Sequence, residues 1–177
     1  MHTSIKRIVI IGPESTGKST LTRQLAHRFH TVAIEEYARP YLENIDRPYN
    51  EADLLHIAKG QLLQEDNAAR SLNQPLLFCD TDLQVIKVWS ESKYGSCDEW
   101  ILQQIAIRHY DFYILTDIDM PWADDPLREH PEPEMRLHFF NVYKDIVVNS
   151  GIPFMIVKGN EKERLEAAVE VVMGLMG

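Results

Sequence analysis

The chain has 177 residues, a length that favours a single domain with its own hydrophobic core. Its formal net charge of −9 argues against a broad nucleic-acid-binding face, and its two cysteines are too few for a disulfide framework or a zinc cluster. We find no apolar signal segment and no apolar stretch long enough to span a bilayer. We therefore expect a cytoplasmic protein whose partners are small molecules rather than nucleic acids or membranes.

The first motif along the chain is a phosphate-binding loop. Residues 12–19 read G-x-x-x-x-G-K-S, after the apolar run Ile8–Ile11 and before apolar residues at helical spacing. This strand–loop–helix setting makes a ligand-free glycine-rich turn the weaker interpretation. Glycines permit the tight turn, Lys18 supplies charge for phosphates, and the Ser19 hydroxyl can bind Mg²⁺. The predicted nucleotide-binding residues are Gly12, Glu14, Ser15, Thr16, Gly17, Lys18, Ser19 and Thr20.

Five apolar, β-rich runs alternate with helical patterns along the chain. The predicted strands are Ile5–Ile11, Thr31–Glu35, Pro75–Asp80, Asp111–Thr116 and Pro153–Lys158. The predicted helices are Lys18–His30, about Glu51–Leu72, two short helices within Leu83–Arg108, Glu134–Asn149 and about Glu161–Met176. The alternation predicts an α/β fold with a five-stranded parallel sheet and helices on both faces, a three-layer P-loop sandwich. Ligands of such sheets bind at the carboxyl ends of the strands.

The third predicted strand ends in acidic residues. Asp80 closes an apolar run, which is the position of a Walker B carboxylate that orients Mg²⁺ beside the loop serine. The alternative is a helix N-cap, since Thr81 or Asp82 precedes a helical pattern. We therefore predict that Asp80 serves the metal, and that Asp82 is either a helix cap or a substrate contact.

The second predicted strand ends in Glu35 and Glu36, followed by Tyr37 and Arg39. A kinase acting on a hydroxyl group needs one carboxylate to accept or orient the proton of that hydroxyl. Neighbours on a strand face opposite ways, so only one glutamate of the pair is expected to face the cleft. A solvated salt bridge to Arg39 is the alternative use of the pair, and Tyr37 suits either a substrate ring or the core.

The segment from Ile118 to Pro133 is rich in proline and charge and lacks any periodicity. We interpret it as a lid over the site, extending to about residue 136. Arg128 is the first candidate for neutralising charge on the transferred phosphoryl group, and Arg136 follows on the next helix. A mobile surface loop without a catalytic role is the alternative.

These motifs together resemble the ribosylnicotinamide kinase domain of NadR-type proteins, a member of the P-loop kinases that include nucleoside and nucleotide kinases. The matching segments run in the family's order from one end of the chain to the other. They are Gly12–Thr20, Glu36–Arg39, Asp80–Asp82, Trp122–Arg128, Gly151–Phe154, and Gly159 with Arg164. The loop alone is shared by very many proteins, whereas the Glu-Tyr-x-Arg, Asp-Thr-Asp and lid segments are more selective.

The resemblance implies transfer of the ATP γ-phosphate to the 5′-hydroxyl of nicotinamide riboside, with ATP and Mg²⁺ as cofactors. Together with the strand-end and lid arguments above, the predicted catalytic residues are Lys18, Glu36, Asp80 and Arg128, and the predicted metal ligands are Ser19 and Asp80. The predicted substrate contacts are Glu36, Tyr37, Arg39, Asp82 and Trp122. NadR proteins usually carry an adenylyltransferase domain ahead of the kinase. This chain begins four residues before its first strand, so we expect a stand-alone kinase, or a relative with another acceptor.

Two other functions remain open at this stage. A nucleoside monophosphate kinase would need additional arginines for the acceptor phosphate, and only Arg39 lies at a strand end between strands two and three. A nucleotide-driven regulatory ATPase would need no carboxylate over an acceptor pocket. The pair Glu35 and Glu36 therefore discriminates between a kinase and a regulatory ATPase.

Overall fold

The structure is a computed structural model that describes residues 5–176. Its strands are β1 Lys6–Ile11, β2 Val32–Ile34, β3 Leu76–Asp80, β4 Phe112–Thr116 and β5 Phe154–Val157. Its helices are α1 Lys18–Arg28, α2 Ala38–Glu43, α3 Glu51–Ser71, α4 Leu83–Tyr94, α5 Glu99–Ile107, α6 Pro133–Asn149 and α7 Glu161–Met176. None of the helices within residues 5–176 has the length and apolar character needed to cross a membrane.

The strands form one parallel sheet of five strands in the order β2-β3-β1-β4-β5. In this sheet β1 pairs with β3 on one side and with β4 on the other. The loop after β1 therefore opens between the carboxyl ends of β3 and β4. The predicted fold class is confirmed, and the sheet brings the ends of these three strands to one edge.

Both faces of the sheet are buried under helices, which explains why the strands read as uninterrupted apolar runs. Ile8 and Ile10 of β1 pack in one cluster with residues of α1 and α7. Val9 and Ile11 pack in a second cluster with residues of α4 and α6. The side chains of β1 thus alternate between two cores, and the sheet is the middle layer of three.

The helices between β2 and β4 form an apolar cluster of their own. Ala38 of α2 packs there with Leu54 and Ile57 of α3, Ile86 of α4 and Ile101 of α5. This cluster fixes the segment that follows β2, and with it the side of the site opposite the phosphate loop.

The structure differs from the sequence prediction just after β2. The strand ends at Ile34, so Glu35 and Glu36 lie beyond it, and the short helix α2 was not predicted. Pro40 is accommodated in the first turn of α2, where the missing N–H has no partner to lose. A helix of six residues is too short to show an apolar period, so the sequence carried little signal for it.

Candidate active site

Hydrogen bonds of two threonine hydroxyl groups hold the phosphate-binding loop in its conformation. The Thr16 hydroxyl donates to the Pro13 carbonyl at 2.8 Å and lies 2.7 Å from the Thr116 hydroxyl at the end of β4. Gly12 has a φ of 147°, and a Cβ at that position would lie 2.3 Å from Thr116 Oγ1. Only glycine lets the loop pass so close to β4. The predicted binding residue Thr16 thus has a side chain that shapes the loop.

Lys18 begins α1, and its side chain folds back over the loop. Its Nζ donates to the Pro13 carbonyl at 2.7 Å. Burial lowers the pKa of Lys18, while the carboxylates of Asp80, Glu36 and Glu14 oppose this change. The ammonium therefore lies at a helix N-terminus, which attracts anions, and among three carboxylates. Ser19 and Thr20 are the next two residues of this first helical turn.

Asp80 ends β3 beside the loop, and its carboxylate is without a partner. The side chain is buried, and none of the residues that the structure describes donates a well-formed hydrogen bond to either oxygen. Burial raises the pKa of Asp80, and the nearby Lys18 ammonium and Ser19 hydroxyl oppose the rise. A buried carboxylate without a partner is destabilising, so this position favours a cation. The Asp80 and Ser19 oxygens are donors of the kind Mg²⁺ prefers, so these residues fit the predicted metal.

The two glutamates after β2 lie in different surroundings. Glu35 forms a two-point ion pair with Arg23 of α1, with N–O distances of 2.8 and 2.6 Å, on the exposed surface. Glu36 is half-buried, and its carboxylate receives no hydrogen bond from residues 5–176. Burial raises the pKa of Glu36, Asp80 adds to the rise, and Lys18 opposes it. The structure therefore places Glu36 with the loop lysine and Asp80, whereas the Glu35 carboxylate is paired with Arg23 on the surface.

Tyr37 caps the start of α2 and packs against α3. Its ring lies over Gly60, where a Cβ would be 2.2 Å from the ring carbon Cε1. Its backbone N–H donates to the Gln61 side-chain oxygen at 2.8 Å. Of the two roles that the sequence left open, these contacts give Tyr37 the core position. Sequence reasoning missed Gly60, although a lone glycine within a helical pattern indicated a close packing contact.

Asp82 is buried at the start of α4, where it caps the helix. Its carboxylate accepts the Gln84 N–H at 3.0 Å and the Tyr113 hydroxyl at 2.6 Å. Burial is the main reason that the pKa of Asp82 rises to about 6. The sequence left a cap and a substrate contact open, and the structure shows the cap.

The lid, residues 118–132, contains no helix or strand and lies against the phosphate loop. The Ser15 hydroxyl accepts the backbone N–H of Ala123 at 2.8 Å and an Arg128 guanidinium N–H at 3.3 Å. Arg136 of α6 donates to the Met120 carbonyl at 2.9 Å. The two predicted arginines thus reach the lid–loop boundary from different elements, and both contact Ser15, since Arg136 also donates to the Ser15 carbonyl at 3.4 Å.

Trp122 packs near both arginines of this boundary. The guanidinium carbons of Arg128 and Arg136 each lie 5.8 Å from the centre of its ring. Its indole N–H donates to Asp124 at 3.1 Å. The predicted substrate contact Trp122 is therefore half-buried among lid residues, and its ring holds the two cations in place.

Two residues predicted to contact ligands also contact the lid. The Glu14 carboxylate accepts the backbone N–H groups of Glu129 and His130 at 3.0 and 3.1 Å. Arg39 forms an ion pair with Asp125 at 2.9 Å. Glu14 joins the lid to the phosphate loop, and Arg39 joins it to α2 on the opposite side.

Arg164 of α7 is a buried residue for which the sequence predicted no role. Its guanidinium donates to the carbonyl groups of Thr16 at 2.6 Å, Gly159 at 2.8 Å and Asp117 at 3.0 Å. It therefore ties the phosphate loop to the segments that follow β4 and β5. The resemblance matched Arg164 and Gly159, but single positions far apart in sequence gave no indication of this contact.

Comparison with known proteins places these features in a family context. A protein-family model described as AAA domain matches residues 7–164. The chain is 29% identical over 180 residues to the trifunctional NAD biosynthesis/regulator protein NadR of Escherichia coli K12. The alignment covers 98% of this chain and 43% of that protein, so the chain spans less than half the length of this curated relative.

Solved structures give the same picture. A NadR protein in complex with NR has a TM-score of 0.77 and 26% identity, over 96% of this chain and 51% of that chain. A NadR protein in complex with NAD and AMP-PNP has a TM-score of 0.72 and 25% identity, over 96% and 49% of the two chains. Deoxyadenosine kinase from M. mycoides shares the fold, with a TM-score of 0.66 at 15% identity over 95% and 99%. The predicted resemblance to NadR-type proteins is confirmed.

Proposed function

The chain belongs to the AAA domain family, and on that premise we propose that it is an ATP-dependent kinase for the 5′-hydroxyl of a nucleoside. The preferred acceptor is nicotinamide riboside, and the product is nicotinamide mononucleotide. The observation that carries this proposal is Glu36, a half-buried carboxylate without a hydrogen-bond partner among residues 5–176, grouped with Lys18 and Asp80. The NadR structures with NR, the abbreviation of nicotinamide riboside, and with AMP-PNP support the two substrates.

The residues of the site have separate tasks in this reaction. The loop backbone and Lys18 hold the ATP phosphates, and Glu36 accepts a hydrogen bond from the 5′-hydroxyl and orients it toward the γ-phosphorus. The bond from the γ-phosphorus to the 5′-oxygen forms as its bond to the ADP oxygen breaks. Glu36 can take the released proton, since its raised pKa makes it a better base than an ordinary glutamate.

Arg128 and the two predicted metal ligands, Ser19 and Asp80, have the remaining roles. Arg128 lies at the loop and would neutralise charge that spreads over the γ-phosphoryl oxygens. Mg²⁺, when held by Ser19 and Asp80, would supply further positive charge to the phosphates. The net charge of −9 supports a small acceptor over a nucleic acid.

Acceptor dependence of ATP turnover tests the proposal. ADP release would be measured with no acceptor, with nicotinamide riboside, uridine or thymidine, and with a nucleoside monophosphate. We expect nicotinamide riboside to give the largest stimulation. A monophosphate as best acceptor would favour a nucleoside monophosphate kinase. Equal turnover with and without every acceptor would favour a regulatory ATPase.

A further inference from the structure

The side chains of Glu14 and Ser15 occupy positions that the phosphate-loop motif leaves free. Phosphate binding by such a loop uses its backbone N–H groups, its lysine and its last hydroxyl. In this chain both free positions contact the lid. One Glu14 oxygen, Oε2, accepts two consecutive backbone N–H groups, of Glu129 and His130, and Ser15 accepts the N–H of Ala123.

The two N–H groups bound by Glu14 directly follow Arg128 in the chain. Hydrogen bonds to a charged carboxylate are stronger than neutral ones, so the contact fixes the backbone on the carboxyl side of the arginine. Two residues after Arg128, the His130 ring packs against the Phe139 ring of α6, with 4.7 Å between the ring centres. The segment 128–130 is thus held between the phosphate loop and α6, with Arg128 directed at Ser15.

A direct contact of the Glu14 carboxylate with ATP is the competing use of this residue. Like charges at close range repel, so a carboxylate turned toward a triphosphate would weaken nucleotide binding. The lid amides lessen this conflict, because the N–H groups of Glu129 and His130 give the carboxylate hydrogen-bond donors within the protein. Glu14 therefore suits a contact within the protein better than a contact with nucleotide.

We propose that Glu14 is a positioning residue that docks the lid on the phosphate loop and thereby holds Arg128 at the reacting phosphate. Its effect on phosphoryl transfer rests on the proposed kinase function, whereas the docking itself does not. Glu14→Ala removes the contact, and Glu14→Gln keeps an oxygen that can accept the same N–H groups. Glu132→Ala is the matched control, since Glu132 stands at the N-cap position of α6 but its exposed carboxylate forms no cap hydrogen bond.

Hydrogen exchange of the lid amides tests the docking without any activity measurement. We expect the N–H groups of Glu129 and His130 to exchange at least about tenfold faster in Glu14→Ala. Exchange should be unchanged in Glu132→Ala and intermediate in Glu14→Gln. Unchanged exchange in folded Glu14→Ala, or in Glu14→Gln if the alanine variant does not fold, would overturn the proposal.

Kinetics of the same variants test the positioning role. Glu14→Ala should lower kcat by on the order of tenfold and change the KM for ATP much less, and Glu14→Gln should restore part of kcat. Faster lid exchange with undiminished kcat would overturn the positioning role. If the unsubstituted protein phosphorylates no acceptor, the proposed function fails. The hydrogen-exchange measurement still decides whether Glu14 docks the lid.

Discussion

Glu36 and Asp80 both lie where burial raises the pKa of a carboxylate, yet their surroundings suit them to different ligands. Asp80 is fully enclosed at a strand end beside Ser19, whereas Glu36 is half-buried on the side of the helices between β2 and β4. The sequence indicated both residues as candidates for the site, because ligands of a parallel sheet bind at the carboxyl ends of its strands. It could not predict that Arg39 would pair with Asp125, since that contact joins residues 86 positions apart.

Separate substitution of the two adjacent glutamates tests the role of Glu36. Glu36→Gln keeps the size of the side chain and removes its charge, so nucleoside phosphorylation should fall by on the order of a hundredfold. Glu35→Gln is the matched control and should change activity little, because Glu35 pairs with Arg23 on the surface. The measurement is kcat/KM for nicotinamide riboside at saturating ATP. Greater sensitivity at Glu35 would contradict the arrangement seen in the structure.

Metal dependence tests Asp80. Asp80→Asn should raise the Mg²⁺ concentration needed for half-maximal activity by about tenfold or more, since an amide oxygen carries no full negative charge. Asp145→Asn, an exposed change on α6, serves as the control. Titration of activity with Mg²⁺ after chelation measures the effect. An unchanged titration curve for Asp80→Asn would leave Asp80 with a structural role only.

Among the elements, the lid depends for its position on contacts with several other parts of the chain. It has no helix or strand, and it is held by Glu14 and Ser15 of the phosphate loop, by Arg39 of α2 and by Tyr49, whose hydroxyl donates to Glu129 at 2.8 Å. The sequence predicted the lid from its lack of periodicity, and the long helices from their apolar period. It missed α2, and it missed the contact of Glu14 with the lid, because the motif describes the loop and not the element that covers it.

The lid arginine should act on the chemical step more than on nucleotide affinity. Its guanidinium is positioned at Ser15 of the loop, and it should stabilise charge that develops in the transition state. Arg128→Ala should therefore lower kcat by on the order of a hundredfold and raise the KM for ATP by much less. Arg70→Ala, a change near the end of α3, is the control. Small and equal effects on kcat and KM would mean that Arg128 does not contact the transferred group.

Across the whole molecule, the carboxyl and amino ends of the strands carry different groups of polar residues. The carboxyl ends of the strands carry the phosphate loop, Asp80 and Glu36. At the amino ends, the buried Glu65 accepts hydrogen bonds from Arg7 at 2.8 Å, Arg108 at 3.0 Å and Tyr110 at 3.0 Å. The sequence predicted a parallel sheet from the alternation of elements. It could not predict this charged cluster, since it depends on which strands become neighbours in the sheet.

The cluster at the amino ends should contribute to stability and not to activity. Glu65→Gln would remove the buried charge that the partly buried guanidinium groups of Arg7 and Arg108 share, while Asp66 still pairs with both, so the free energy of unfolding should fall by about 1 to 3 kcal/mol. Glu166→Gln, in an exposed pair with Lys162, should change it by no more than about 0.5 kcal/mol. Denaturant unfolding measures both, and the activity per folded molecule should stay the same. Equal stability of the two variants would contradict the structural role of Glu65.

Direct identification of the product tests the kinase assignment most closely. The protein would be incubated with ATP, Mg²⁺ and nicotinamide riboside. The products would then be separated, identified and quantified by mass spectrometry. We predict one nicotinamide mononucleotide for each ADP formed, with the phosphate on the 5′-oxygen, and on the order of a hundredfold less of it with Glu36→Gln. ADP formed with no phosphorylated nucleoside, or product that accumulates equally with Glu36→Gln, would contradict the account.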